Sequence, residues 1–183
     1  IRDDVESRGL GMCIRDSSWV SGVNIYIKQH KWSKYLVNGK LHDHSFVKDG
    51  EELRTASLSY KRSGEFTLES GIKDLTVLKS TNSMFYGYNN CDYTTLEPTT
   101  DRILSTDVDA VWKWDSKKLG SIKSIYKLAQ QGVFDKAFKG ARDTTLTIFA
   151  LENSPSVQAT MYNMCHEILG AFPLIETVSY ALP

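Results

Sequence analysis

The spacing of apolar residues changes near Trp114 from every second residue to a helical period. In residues 23–27, 56–60 and 108–114, apolar side chains alternate with polar ones, which is typical of half-buried β-strands. In residues 108–114 the alternation places Val108, Ala110, Trp112 and Trp114 on one face. This order of patterns predicts that the strands of a sheet precede the helices along the chain.

Turn signals separate the strand-like segments. The dipeptides that carry them are Asn38-Gly39, Asp49-Gly50 and Ser63-Gly64. Short connections of this kind join antiparallel strands. We therefore predict an antiparallel meander over the first part of the chain.

Three helical stripes follow the strands. The first spans residues 122–126 and ends near Gly132, the second spans 134–149, and the third spans 154–170 with Gly170 as its end. Residues 174–182 alternate weakly and contain several β-branched residues, which predicts a final strand. Strands, then helices, then a strand predict an α+β fold.

The third stripe has a distinct beginning. Ser154 is a suitable N-cap and Pro155 fits the first helical position, where its missing N–H costs nothing. The N–H groups of Ser156 and Val157 would then lack intrahelical partners at the positive end of the helix dipole. Gln158 adds an amide with two donors and an acceptor. This helix start is therefore a candidate anion site.

Composition excludes several function classes. The chain has 183 residues, 41% hydrophobic and 24% charged, which is typical of a globular protein. Lys plus Arg equals Asp plus Glu at 22 each, which argues against a nucleic-acid surface. No apolar run approaches the roughly 20 residues of a membrane-spanning helix. Three widely spaced cysteines indicate reduced, structural thiols rather than a disulfide framework.

Most reactive side chains have an ordinary interpretation. His42 and His44 share a strand face, but two imidazoles do not complete a metal site, and a hydrogen-bonded strand end is the favoured alternative. Asp107 and Asp109 also share a face, for which a solvated surface is the simpler explanation. Cys165 follows the apolar stripe of the third helix and is expected in the core.

Arg102 and Phe85 are stronger candidates. Arg102 stands just before a strand, and its planar guanidinium can bind a planar anion with two hydrogen bonds. The alternative is an ion pair with Asp101. Phe85 lies in an aromatic loop, where it is either a core residue or a platform for stacking.

Several ungapped segments, taken together, resemble urate oxidases (uricases). They are 75–88 (LTVLKSTNSMFYGY), 93–96 (YTTL), 101–110 (DRILSTDVDA), 154–161 (SPSVQATM) and 174–183 (LIETVSYALP), with Trp32 and 42–46 (HDHSF) before them. The resemblance covers roughly Val23 to Pro183. Residues 1–17 match nothing in it, and one hypothesis is that they are non-native.

The resemblance implies the tunnelling fold (T-fold), in which each unit is an antiparallel sheet with helices packed on one face. Two units occur in tandem, and four identical chains form a barrel with active sites between subunits. Residues 18–50 correspond to the closing strands of the first unit. Residues 51–183 correspond to the second unit, incomplete at its C-terminal end.

The resemblance also implies an activity, the oxidation of urate by O2 to 5-hydroxyisourate and hydrogen peroxide without any cofactor. Arg102 corresponds to the arginine that grips the purine anion, and Phe85 to the phenylalanine that stacks on it. Gln158 corresponds to the glutamine on the opposite edge, Val157 to the residue whose N–H contacts a urate oxygen, and Leu96 to a pocket-lining residue.

Catalytic residues are not among these correspondences. The family's lysine, its Thr-Asp pair and its histidine all fall outside the 183 residues, so we expect the chain alone to be inactive. A T-fold subunit that binds a purine or pterin without converting it remains the alternative. Eukaryotic members imply a peroxisomal location.

Overall fold

The computed structural model describes residues 18–37, 39–95, 97–153 and 155–183. In these ranges five strands form one sheet in chain order, with every neighbouring pair antiparallel. The strands are β1 (Gly22–Val37), β2 (Lys40–Lys61), β3 (Phe66–Lys79), β4 (Leu104–Trp114) and β5 (Ile175–Ala181). Between β4 and β5 lie the helices α1 (Ser116–Leu119), α2 (Ile122–Gln130), α3 (Val133–Leu151) and α4 (Val157–Ala171). The α+β prediction is confirmed.

The core lies between one face of the sheet and the helices. The four apolar residues that alternate along β4, Val108, Ala110, Trp112 and Trp114, are all at most 1% exposed. Apolar side chains of α3 and α4 pack in the same cluster, among them Ala137, Ala141, Met164 and Ile168. The period-2 spacing of β4 thus supplies the surface on which the helices pack.

Gly140 interrupts the apolar stripe of α3 for a packing reason. A Cβ at this position would lie 2.3 Å from Cζ of Phe172, the residue that follows α4. The aromatic ring therefore rests directly on the backbone of α3. This contact fixes the end of α4 against the middle of α3.

The prediction of a turn at Asp49-Gly50 is wrong, because β2 continues through both residues. Residues 49–52 instead bulge from the ladder, between the pairs His30↔Leu53 and Trp32↔Lys48. Gly50 has φ +80°, which glycine adopts without strain. A second irregularity of the same ladder lies nearer the hairpin turn, between the pairs Lys34↔Phe46 and Leu36↔Leu41.

The predicted turn at 38–39 has Gly39 at φ +79°, and Asn38 lies outside the described residues.

The third predicted helix begins two residues later than expected. Ser156 is the N-cap of α4, and its hydroxyl accepts a hydrogen bond from the Ala159 N–H at 3.2 Å. Ser154, the predicted cap, lies outside the described residues. Gly170 does not end the helix either. Phe172 does, because the proline that follows it disfavours helical backbone before the ring.

Two further points bear on organisation. β2 runs through residues 50 and 51 without a break, and the division into two units at that point stays a prediction. Within the described ranges, no helix is both long and apolar enough to cross a membrane.

Candidate ligand-binding site

The long connection between β3 and β4 is closed on itself at its base. Phe85 and Thr99 form an isolated antiparallel bridge, with N–H···O distances of 2.8 and 2.9 Å. The Asp101 carboxylate accepts hydrogen bonds from the Thr81 hydroxyl at 3.0 Å and the Asn82 N–H at 2.9 Å. These contacts hold the first and last residues of the connection together, so the side chains they carry face a common space.

Phe85 and Arg102 meet in this space. The Arg102 guanidinium carbon lies 5.4 Å from the centroid of the Phe85 ring, within cation–π range. Tyr88 supports the same ring by stacking at 4.2 Å with an interplanar angle of 23°. Arg102 is held further by its Nε, which donates to the Oγ of the buried Ser83 at 3.4 Å. The Arg102 cation therefore lies over the Phe85 ring, and Tyr88 stacks on the same ring.

The terminal nitrogens of Arg102 are available to a ligand. Neither Nη1 nor Nη2 donates a hydrogen bond to any residue that the structure describes. The alternative of an ion pair with Asp101 is not realised in those residues, because the Asp101 carboxylate is occupied by Thr81 and Asn82. The half-buried guanidinium thus keeps two donors in a plane that suits a planar anion.

Val157 and Gln158 occupy the first turn of α4. Val157 is half-buried and Gln158 is exposed. Ser156 caps the Ala159 N–H, and among the described residues the N–H groups of Val157 and Gln158 have no partner within the helix. Val157 is the first residue of the helix, and its role as a donor to a ligand stays a prediction.

The two halves of the candidate site are joined indirectly. No hydrogen bond or ring contact links Phe85 or Arg102 to Gln158 within the described ranges. The link runs through Lys79, whose Nζ donates to the backbone oxygen of Glu152, five residues before Val157. Leu96, the predicted pocket-lining residue, lies outside the described residues.

The weaker candidates have structural roles. Asp109 accepts from Lys73 Nζ at 3.1 Å and from the Asp74 N–H at 2.8 Å, while Asp107 accepts from the Thr76 hydroxyl at 2.5 Å. Both carboxylates therefore tie β4 to β3. The pKa of Lys73 is raised by its hydrogen bond and its charge interaction with Asp109.

His42 and His44 contact each other edge to face, with ring centroids 4.5 Å apart. Across the described part of the chain, no three His, Cys, Asp or Glu residues cluster closely enough to hold a metal ion. The Cys165 thiol is half-buried beside the Val178 carbonyl, and burial raises its pKa.

A cavity of about 770 Å³ lies elsewhere, between the bulge of β2 and α3. Its charged walls are internally paired. Arg142 donates to the Glu52 carboxylate from Nε at 2.7 and 3.0 Å and from Nη2 at 2.8 Å, and this contact raises the pKa of Arg142. Arg54 pairs with Asp135 at 2.7 Å. Since these cations already have partners, this cavity offers less to an anion than Arg102 does.

Comparison with known proteins decides the family. The uricase family model matches residues 68–183. The chain belongs to the uricase family. It is 63% identical to the uricase of Cyberlindnera jadinii over 91% of this chain and 55% of that protein. It is 43% identical to the uricase of Aspergillus flavus over 90% of this chain and 53% of that protein.

The fold of a solved uricase agrees as well. The uricase of Arthrobacter globiformis superposes with a TM-score of 0.76 at 35% identity, covering 94% of this chain and 54% of that one. The predicted T-fold, an antiparallel sheet with helices on one face, is thereby confirmed. The chain spans about half the length of the curated relatives that it matches.

Lys79 is the residue that the sequence analysis missed. It lies inside the 75–88 match, where a lysine closes an apolar strand, but its partner Glu152 is 73 positions away. The sequence signal was a charge at the end of an otherwise apolar run. The pairing itself requires the fold.

Proposed function

We propose that the protein to which this chain belongs is a urate oxidase. The observation that carries the proposal is the Arg102 guanidinium, set against the Phe85 ring with its two terminal nitrogens free of hydrogen bonds in the described part of the chain. Urate is a flat anion with acceptor oxygens and nitrogens on its edges. An aromatic ring in contact with an open cationic fork supplies groups that are complementary to both properties.

Each predicted binding residue has a role in this proposal. Phe85 stacks on the purine ring, and Arg102 donates to one anionic edge. Gln158 binds the opposite edge through its amide, the N–H of Val157 donates to a urate oxygen, and Leu96 lines the pocket. Membership of the uricase family and the exposed position of Gln158 at a helix start support this assignment.

The reaction is a two-electron oxidation of urate. Urate, O2 and water give 5-hydroxyisourate and hydrogen peroxide, so that the two electrons lost by the purine reduce O2 to peroxide. A base first removes a proton from the urate monoanion, and the dianion then transfers electrons to O2. We assign none of these proton transfers to residues 1–183, which supply the substrate-holding side. General-base assistance is typically worth about 10²–10⁴ in rate.

We further propose that the protein assembles as a homotetramer with active sites between subunits. Large apolar side chains exposed on β1 and β2 support an interface there, including Trp32 at 59% and Phe46 at 51% exposure. Light scattering on the full-length protein tests this, and a monomeric mass would contradict it.

A peroxisomal location rests on the resemblance to eukaryotic members, and imaging of a fluorescent fusion in its own host tests it.

The function is tested with the full-length protein in a urate assay. Loss of the ultraviolet absorbance of urate, accompanied by one hydrogen peroxide per urate, is the expected result. The Arg102→Gln variant is the internal control, since it removes the anion-binding fork. Urate binding without peroxide production would contradict oxidation and favour a non-catalytic binding protein.

A further inference from the structure

We infer that Lys79 is a positioning residue that sets the distance between the two halves of the urate site. The inference rests on the proposed function, because it concerns how Arg102 and Gln158 are held apart. Lys79 is the last residue of β3 and pairs with Leu104, the first residue of β4. The connection that carries Phe85 and Arg102 therefore leaves the sheet after Lys79 and re-enters it at Leu104, beside Lys79.

The ammonium of Lys79 reaches from the sheet to the helices. Its Nζ donates to the backbone oxygen of Glu152, the residue that ends α3. The last turn of α3 contains no basic residue, so Lys79 supplies, from another element, the cation that a helix C-terminus favours. The end of α3 is thereby fixed to the base of the Phe85–Arg102 connection.

Glu152 passes this constraint on to α4. Its carboxylate Oε1 accepts a hydrogen bond from Nδ2 of Asn163, in the second turn of α4. One residue thus binds the sheet through its main chain and α4 through its side chain. Val157 and Gln158, which open α4, lie only five and six residues after Glu152. Two consecutive hydrogen bonds therefore fix the position of Val157 and Gln158 relative to the end of β3.

Lys79 has no competing partner among the residues that the structure describes. It is half-buried, and its bond to the Glu152 carbonyl is its one polar contact within the described ranges. Lys113, by contrast, pairs with the Glu176 carboxylate at 2.8 Å. A half-buried ammonium directed at a single helix-terminal carbonyl indicates a role in fixing that helix end.

The test compares Lys79→Met, Lys79→Arg and Lys113→Met in the full-length protein. Methionine keeps the length of the side chain but removes the cation, whereas arginine keeps a cationic donor. Lys113 is the matched control, a partly exposed lysine at the other end of the β4 ladder. Steady-state kinetics with urate are measured together with urate binding under anaerobic conditions, where no turnover occurs.

We expect Lys79→Met to raise KM and the anaerobic Kd by about tenfold, with kcat changed less than about threefold, which corresponds to about 1.4 kcal/mol of binding. Lys79→Arg should restore both to within about threefold of wild type, and Lys113→Met should leave both unchanged. A merely structural lysine would lower the yield of folded enzyme without altering the Kd of the remainder.

The outcomes separate the two proposals. If wild type binds and oxidises urate but Lys79→Met has an unaltered Kd, the positioning role is refuted while the function stands. If wild type neither binds nor oxidises urate, the proposed function fails and the role of Lys79 falls with it. Should Lys79→Met not fold, Asn163→Ala interrupts the second bond of the same path. An unaltered Kd in that variant would equally refute the inference.

Discussion

Tyr180 links β5 to α3, and its ionisation is expected to lower the free energy of unfolding at alkaline pH. Its hydroxyl lies 2.5 Å from the Thr145 hydroxyl, which itself donates to the Ala141 carbonyl at 2.7 Å, so Tyr180 is the donor to Thr145. Burial raises the pKa of Tyr180 from 10.0 to about 12. The protonated phenol is thus the form that the folded state retains.

The sign and size of the effect follow from linkage. Because the folded pKa lies above the unfolded one, the stabilisation is complete below about pH 10 and is lost as pH rises toward 12. Two units correspond to about 2.7 kcal/mol in the limit, and about 1.4 kcal/mol of it is lost by pH 11. Tyr180→Phe cannot ionise and loses only the hydrogen bond, about 1 kcal/mol.

Urea unfolding of wild type and Tyr180→Phe between about pH 7 and 11 measures this difference. Wild type should be more stable by about 1 kcal/mol at neutral pH, and the two curves should cross near pH 10.7. Tyr162→Phe, at a tyrosine that is 70% exposed on α4, is the control and should remain parallel to wild type. A constant difference between wild type and Tyr180→Phe at every pH would refute the reasoning.

Two other predictions concern packing and binding. Gly140→Ala should destabilise the protein by about 1–2 kcal/mol, because overpacking against the Phe172 ring exceeds the gain in helix propensity. Gly170→Ala, where a Cβ meets nothing within 4 Å, should stabilise it by about 0.5–1 kcal/mol, and thermal unfolding that shifted both variants in one direction would contradict this pair. Arg102→Lys should raise the KM for urate by at least about tenfold although the charge is kept, since the planar two-donor geometry is lost. An unchanged KM in the urate assay would exclude binding through the guanidinium fork.

The sequence predicted elements whose pattern is local. The alternation in β4 predicts this strand because every second side chain packs against the helices. The change from alternation to a helical period then predicts the order of strands and helices. Asp49-Gly50 was misread because a glycine with positive φ serves a bulge as well as a turn, and only the partner strand distinguishes the two. The start of α4 was misplaced because two serines compete as caps within three residues.

The sequence proposes residue types for the candidate site, but it does not predict how those residues are connected. Arg102 could have paired with its neighbour Asp101, and nothing local revealed that Thr81 and Asn82 occupy that carboxylate instead. The Lys79–Glu152 bond spans 73 positions, and no periodicity reports such a contact. The arrangement of the candidate site therefore depends on long-range contacts that a local sequence pattern does not report.

The bulge at residues 49–52 makes the arm formed by β1 and β2 sensitive to length in an unusual way. The pairs His30↔Leu53 and Trp32↔Lys48 differ by three in register, an odd number, so the bulge exchanges the two faces of β2. The irregularity between Lys34↔Phe46 and Leu36↔Leu41 shifts the register by three again and restores them. A deletion of one residue in either bulge would therefore move the β2 side chains beyond that bulge to the opposite face of the sheet. If one residue were deleted in each bulge, only the side chains between the two bulges would change face. Natural relatives should vary in length here by coupled insertions and deletions.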